Sequence, residues 1–357
     1  MPELFTGHDS NYSMKILITG ATGFIGKRLS DKLLTDGHEI YVLVRKQSFE
    51  KARQIFQNKD KVHFIVGDIS NNDVLETVGG VETLPDDIES VIHLAAVYDL
   101  ETDVATAYSH NVVGTQNIIY LIQRMKNLKY YHHISTYAVS GLYDGEFGEE
   151  QIDSKSEFPE FYSRTKMQAE HLVRNANLKN TKVRIYRLGI IIGDSQSGEM
   201  DKIDGPYYFL RFFNVLAKIN DNVPLKVLPL TCHANSTLPL LPVDTLTDWL
   251  REMISKPTDH KQRCYHLIPD EKILVTRFVE KTLKLYGINL KVIRIPFPKL
   301  YARVMPLLSI PKEVIPYMMS KTSYSKSQIK KDFPQLKAPL LKDYLPVIVK
   351  AAREMFP

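Results

Sequence analysis

Over the first 190 residues, short unbroken apolar runs alternate with segments whose apolar residues recur every three or four positions. "KILITG" (15–20) has the pattern of a strand buried on both faces. "GFIGKRLSDKLLTDG" comes next, with Phe24, Ile25, Leu29, Leu33 and Leu34 at helical spacing and Gly37 as a stop. The strand pattern returns in "EIYVLVR" (39–45), "KVHFIVGD" (61–68), "SVIHLAA" (90–96), "KYYHHIS" (129–135) and "KVRIYRLGIII" (182–192). Helical patterns at 103–125 and 160–177 separate the later runs. Strands alternating with helices predict right-handed crossovers and an α/β fold built on a doubly wound parallel sheet. After Gly193, prolines, aromatics and short segments predict a smaller, irregular C-terminal lobe. The expected division is a flexible extension at 1–13, a sheet domain at 14–193 and the second lobe at 194–357. A helix near 246–254 is expected to return to the first domain.

Composition narrows the class. A hydrophobic share of 44% and a charged share of 24% are those of an ordinary globular chain. Cys232 and Cys264 supply neither a disulfide framework nor metal-ligand spacing, so a reducing, cytoplasmic setting is expected. No apolar run reaches the ~20 residues of a membrane span. Residues 1–13 lack the apolar centre of a signal peptide, and Met14 is a plausible natural start. The net charge of +5 is unevenly spread: residues 291–357 hold 13 Lys+Arg against 4 Asp+Glu, which leaves −4 for residues 1–290. A basic, aromatic tail of this kind suits either weak peripheral contact with anionic lipid or a solvated helical cap. No compact nucleic-acid-reading motif is present.

Three glycines, Gly20, Gly23 and Gly26, stand where the first apolar run passes into the first helical pattern. Backbone N–H groups at a helix N-terminus meet the negative charge of a pyrophosphate, provided no side chain intervenes. Gly20 suits the tight turn, Gly23 close approach and Gly26 contact between helix and sheet, with Thr22, Phe24 and Ile25 completing the candidate loop. The bland alternative is a tight turn that holds no ligand. The second strand ends in "VLVRKQS", where Arg45 and Lys46 would pair with a 2′-phosphate, favouring NADP over NAD. An ordinary solvated basic turn would look the same. Asp68, with Ile69 after it, is placed either to meet an adenine or to cap the next helix.

"YSRTK" sets Tyr162 and Lys166 four apart on one helical face. An ammonium beside a phenol, whose free pKa is about 10, favours the phenolate and permits proton exchange near neutrality. Ser135 or Thr136, where the fifth run ends, would supply a hydroxyl to orient a carbonyl.

These residues, with "TGATGFIG", "GDI", "HLAA", "NVVGTQN" and "STYAVSG", resemble the extended short-chain dehydrogenase/reductase family, a Rossmann-fold family, over residues 14–270. The resemblance implies Tyr162 as proton donor and Lys166 as the residue that tunes it and holds the nicotinamide ribose. Counting back from Gly141 it selects Thr136 over Ser135, and it makes Asn111 part of a proton relay. It sets Ala95 and Ala96 along the ribose and adenine path. The family commonly has Arg-Pro after the sixth strand, near the nicotinamide amide, where this chain departs with Arg187-Leu188; the resemblance implies that the backbone of Leu188 to Ile191 could still serve there. "HLAAVYDL" and "GDSQSGEMDKIDGPYYFL" look most like the branch of thioester and fatty-acyl reductase domains, and resemble hydroxysteroid-dehydrogenase-like relatives.

Pro206, Tyr207, Tyr208, Phe209, Phe212 and Phe213 fall where that family contacts substrate; they equally suit the core of a small lobe. Asp244 in "LPVD" is expected to cap a helix, and His132 and His133 to sit in a strand rather than on a metal. The implied activity is hydride exchange between NADP(H) and a carbonyl or hydroxyl of an apolar small molecule. The alternatives are nucleotide-sugar epimerase or dehydratase chemistry on tightly held NAD, and a non-catalytic reader of the cofactor. A monomer or a homodimer is expected.

Overall fold

The computed structural model describes residues 13–75, 83–98, 103–201, 205–219, 226–256, 259–308 and 310–356. Residues 1–12 of the expected extension at 1–13, and residues 99–100 and 202–204 of the candidate motifs, lie outside them.

Seven strands form the central sheet: β1 (Lys15–Thr19), β2 (Glu39–Val44), β3 (Val62–Val66), β4 (Ser90–His93), β5 (Tyr130–Thr136), β6 (Lys182–Leu188) and β7 (Gln262–Leu267). Their order is β7-β6-β5-β4-β1-β2-β3, and every pairing is parallel. The order reverses direction between β1 and β4, and a crevice opens beyond their carboxyl ends, where doubly wound sheets take ligands. The flanking helices are α1 (Phe24–Thr35), α2 (Phe49–Ile55), α3 (Gly114–Ile122), α4 (Phe161–Asn175), α5 (Pro206–Ile219), α6 (Val243–Ser255), α7 (Val275–Leu285) and α8 (Leu341–Met355).

Alternation along β1 divides the core into two layers. Ile16 and Ile18 pack with Leu29 and Leu33 of α1 and with Leu246 and Leu250 of α6. Leu17 packs with Ile118 and Ile122 of α3 and Val173 of α4. A third core joins α5, α7 and α8 through Phe213, Phe278 and Ile348.

Three elements depart from the pattern-based expectation. The run 182–192 does not form one strand: β6 stops at Leu188, and Ile190–Ile192 pairs instead with Leu240–Pro242. Gly189 allows this change of partner, since a Cβ there would lie 2.3 Å from the Pro239 carbonyl oxygen. The helical run 103–125 is broken into Val104–Tyr108, a π-helical turn at Ser109–Val113, and α3. β7, which the pattern does not predict, completes the sheet from beyond Gly193, and α6 packs on α1. Residues past the expected boundary therefore build part of the first body as well as the second lobe.

Candidate active site

The crevice is a cleft of about 380 Å³. Its floor is the glycine loop, its walls are the ends of β5 and β6 with α4, and its far side comes from the second lobe. Gly20, Gly23, Phe24, Ile25 and Gly26 all line it, whereas Thr22 does not.

Each glycine has a separate reason. Gly20 has φ +75°, and a Cβ on it would lie 2.7 Å from the Ala95 nitrogen. A Cβ on Gly26 would lie 2.2 Å from the Gly20 oxygen, so only hydrogen lets α1 approach the turn. Gly23 is different. Its φ of −80° is open to any residue, and a Cβ would meet nothing nearer than the Gly20 oxygen at 3.4 Å. As N-cap of α1 it makes no side-chain cap, and no acidic residue lies in the first turn. The space kept open is at a bare helix N-terminus, where a diphosphate fits. Gly23→Ala is therefore expected to cost no more than about 1 kcal/mol of stability as a changed N-cap and to weaken dinucleotide binding about tenfold or more. Gly26→Ala is expected to cost about 1–3 kcal/mol through overpacking. Thermal unfolding and a nicotinamide fluorescence titration separate the two effects.

Tyr162 and Lys166 both line the cleft from the first turns of α4. The helix starts there because the Glu160 carboxylate accepts from the Ser163 N–H at 2.8 Å. Tyr98, from the loop after β4, lies edge-on to the Tyr162 ring with centroids 4.6 Å apart. The Lys166 ammonium is buried and donates to the Ile134 carbonyl at 2.6 Å. Burial lowers its pKa to about 8, against the opposing field of Glu170 one turn on.

The two candidate hydroxyls are bound differently. Ser135 donates to a Glu170 carboxylate oxygen at 2.7 Å. Thr136 accepts from the Ala138 N–H at 3.3 Å and has no acceptor for its own O–H among the described residues. Asn111, in the π-helical turn, accepts from the Val97 N–H at 2.9 Å and donates to the Val97 carbonyl and the Thr165 hydroxyl. It ties the loop after β4 to α4 and does not line the cleft.

The remaining candidates divide. Ala96 and Leu188 line the cleft; Ala95 stands behind, its N–H donating to the Thr19 hydroxyl at 3.1 Å. Asp68 accepts from the Ser70 N–H and hydroxyl at 2.9 and 2.7 Å, closing a turn. Burial works to raise its carboxyl, but those bonds, with Arg45 and His110 nearby, hold it below the usual range. The Ile69 side chain packs over Gly114 and does not line the cleft. Arg45 and Lys46 are exposed and enter no salt bridge among the described residues.

The structure brings further residues to the site. Glu170, wholly buried, takes Arg187 at 2.7 Å, Arg174 at 2.9 Å and Ser135. Burial opposes its ionisation, yet the Arg187 charge holds the carboxyl at about 2. Arg187 thus belongs to this network and to the Gly148 and Gln151 carbonyls, not to the cleft. Asp244 also departs from expectation: α6 is capped at Pro242, and Asp244 takes the Ser195 N–H and hydroxyl at 2.8 and 2.6 Å. It anchors the loop leaving the Ile190–Ile192 strand. Tyr317 and Met318 reach the cleft from a segment with no periodic signal. His132 and His133 are buried in β5, and no metal-binding group exists among the described residues. Of the aromatic run, Pro206, Tyr207 and Phe209 line the cleft, while Phe213 is core.

A glycine loop at a Rossmann switch point, with Thr136, Tyr162 and Lys166 opposite it, defines a nicotinamide-dinucleotide protein of the extended short-chain dehydrogenase/reductase type. The chain belongs to the male sterility protein family of NAD-binding domains, whose model matches residues 18–248. It is 26% identical over 327 residues to fatty acyl-CoA reductase wat of Drosophila melanogaster, covering 77% of this chain and 61% of that protein. It is 30% identical over 171 residues to a 3-beta-hydroxysteroid dehydrogenase of Mycolicibacterium neoaurum, covering 46% and 43%. The chain thus spans 43% and 61% of the length of these two curated relatives. In fold it is similar to the terminal R domain of the myxalamid biosynthetic pathway (TM-score 0.77, 19% identity, 96% of this chain and 91% of that one). It also resembles the UDP-glucuronic acid 4-epimerase of Bacillus cereus, solved with NAD (TM-score 0.68, 19% identity, 96% and 100%).

Proposed function

We propose that the protein is an NADP(H)-dependent reductase of a carbonyl borne by an apolar molecule: an acyl thioester, an aldehyde or a steroid-like ring. The observation that carries this reading is the pairing of Tyr162 and Lys166 with an apolar cleft. Among the described residues its lining contains two charged side chains, Lys166 and Asp201, and Asp201 is already paired with Lys27 at 3.0 Å. A nucleotide-linked sugar would carry a diphosphate to the substrate side, where the lining among the described residues offers no cation beyond Lys166. That weighs against epimerase chemistry, which the fold alone would also accommodate.

In this reading the N–H groups at the start of α1 receive the diphosphate, and Arg45 and Lys46 receive the 2′-phosphate. When bound, the nicotinamide supplies the hydride. Thr136 donates to the substrate oxygen and fixes its direction, while Tyr162 delivers the proton to the same oxygen. Lys166 lowers the cost of the phenolate left behind. Its burial enlarges that effect, since charges interact more strongly away from water.

The test is reduced-nicotinamide consumption with long-chain acyl thioesters, aldehydes and ketosteroids. Turnover with NADPH is expected with at least one class, and Arg45→Glu is expected to weaken NADPH binding about 100-fold with little change for NADH. Absence of turnover with all three classes would overturn the reading. Equal loss of both cofactors in Arg45→Glu would remove the 2′-phosphate assignment.

A further inference from the structure

The second lobe turns an unusual face to solvent. Helix Pro298–Val304 and the adjoining 3-10 turn Met305–Leu308 bury Met305 in the lobe's core and keep Tyr301 and Ala302 against it. Their outer side carries large apolar side chains between the charged ones. Phe297 is 56% exposed, Leu300 57% and Leu307 83%, with Val304 and Leu308 beside them and Ile293 on the adjoining strand Lys291–Arg294. A globular surface seldom gathers this many large apolar side chains in one short segment without something to cover them.

The charge around them is one-sided. Residues 291–312 contain Lys291, Arg294, Lys299, Arg303 and Lys312 and no Asp or Glu. All five are exposed, and none enters a salt bridge among the described residues.

We propose that this face docks on an anionic lipid bilayer, with Phe297, Leu300, Val304, Leu307 and Leu308 entering the interface and the five cations meeting lipid phosphates. Apolar area and attraction to anionic headgroups are the two terms that hold an interfacial segment on a membrane, and both are present here. A second copy of this chain is a poor occupant, because a two-fold contact would set five positive charges against five. Directly after this segment in the chain come Val314, Tyr317 and Met318, which line the apolar cleft. Docking would therefore bring the cleft's apolar side close to the lipid phase. That consequence rests on the proposed apolar substrate; the docking itself does not.

Flotation of the full chain with vesicles tests it without turnover. With phosphatidylcholine vesicles containing about 30% phosphatidylglycerol, the bound fraction is expected to exceed that with pure phosphatidylcholine by about tenfold or more. Leu300→Asp with Leu307→Asp should lower it about tenfold, and so should Lys299→Glu with Arg303→Glu. Unchanged thermal unfolding confirms that both variants are folded. A wild type that stays unbound overturns the proposal and leaves the face to an acidic protein. Anionic-vesicle binding that the leucine variant keeps in full also overturns it, as adsorption by charge alone. So does a dimer that Leu307→Asp dissolves in a protein that never floats.

Discussion

Tyr162→Phe is expected to lower kcat by about 10²–10⁴-fold while NADPH binding and thermal unfolding stay near wild type. The substitution removes one hydroxyl and keeps the ring that meets Tyr98, so the cleft retains its shape. What disappears is the hydroxyl that, in the proposed mechanism, hands a proton to the substrate oxygen. The companion change, Lys166→Met, should cost as much in kcat and also weaken cofactor binding, since the proposed mechanism gives the ammonium both tasks. Its burial sets the pH range. With the ammonium titrating at about 8, the alkaline limb of kcat/KM in the wild type is expected there, as charge is lost above that pH. A Tyr162→Phe enzyme with wild-type turnover would remove the phenol from the mechanism.

Glu170→Gln carries the second large effect, and it is one of stability. The variant leaves the buried Arg187 guanidinium, with Arg174 beside it, without its carboxylate. Breaking a buried pair from one side costs about 3–5 kcal/mol, which in a chain of this size lowers Tm by about 4–7 °C. The sign with pH is set by the carboxyl's position at about 2, below its ordinary 4.5. Its contribution is in force above the unfolded value and is withdrawn as pH falls from there towards 2. The gap in Tm between wild type and variant should be constant near neutrality and narrow below pH 4.5. Glu170 also supports the charge on Lys166, so the alkaline limb of kcat/KM should move to lower pH in the variant. A gap in Tm that persists undiminished in acid would show that the carboxylate's charge is not what stabilises the fold.

The six apolar runs are readable as strands because a parallel sheet covered on both faces needs continuous apolar sequence. β7 escapes because "QRCYHL" lies beyond Gly193 among short segments, outside the strand–helix alternation that marks the other six; its His266 side chain is held in the interior by a partner distant in sequence, the Ser325 carbonyl. β6 is overread at its end, since "GIII" continues the apolar texture while changing its partner strand. In the cleft, the glycine loop, Tyr162 and Lys166 are legible from local spacing. Glu170 was within reach too, four residues beyond Lys166 on the same helix. Tyr317 and Met318 were not, because their neighbours set their direction, not any period of their own.

The edge strand β7 has a consequence for how the chain is made. When residues 14–193 have been synthesised, β6 still has one side unpaired, and the segment that will cover it lies about 70 residues further along. Closure is a long-loop event and correspondingly slow. Until it happens, the nascent protein offers an apolar strand edge to any neighbour able to add one, and this interval is where misassembly and chaperone attention would concentrate.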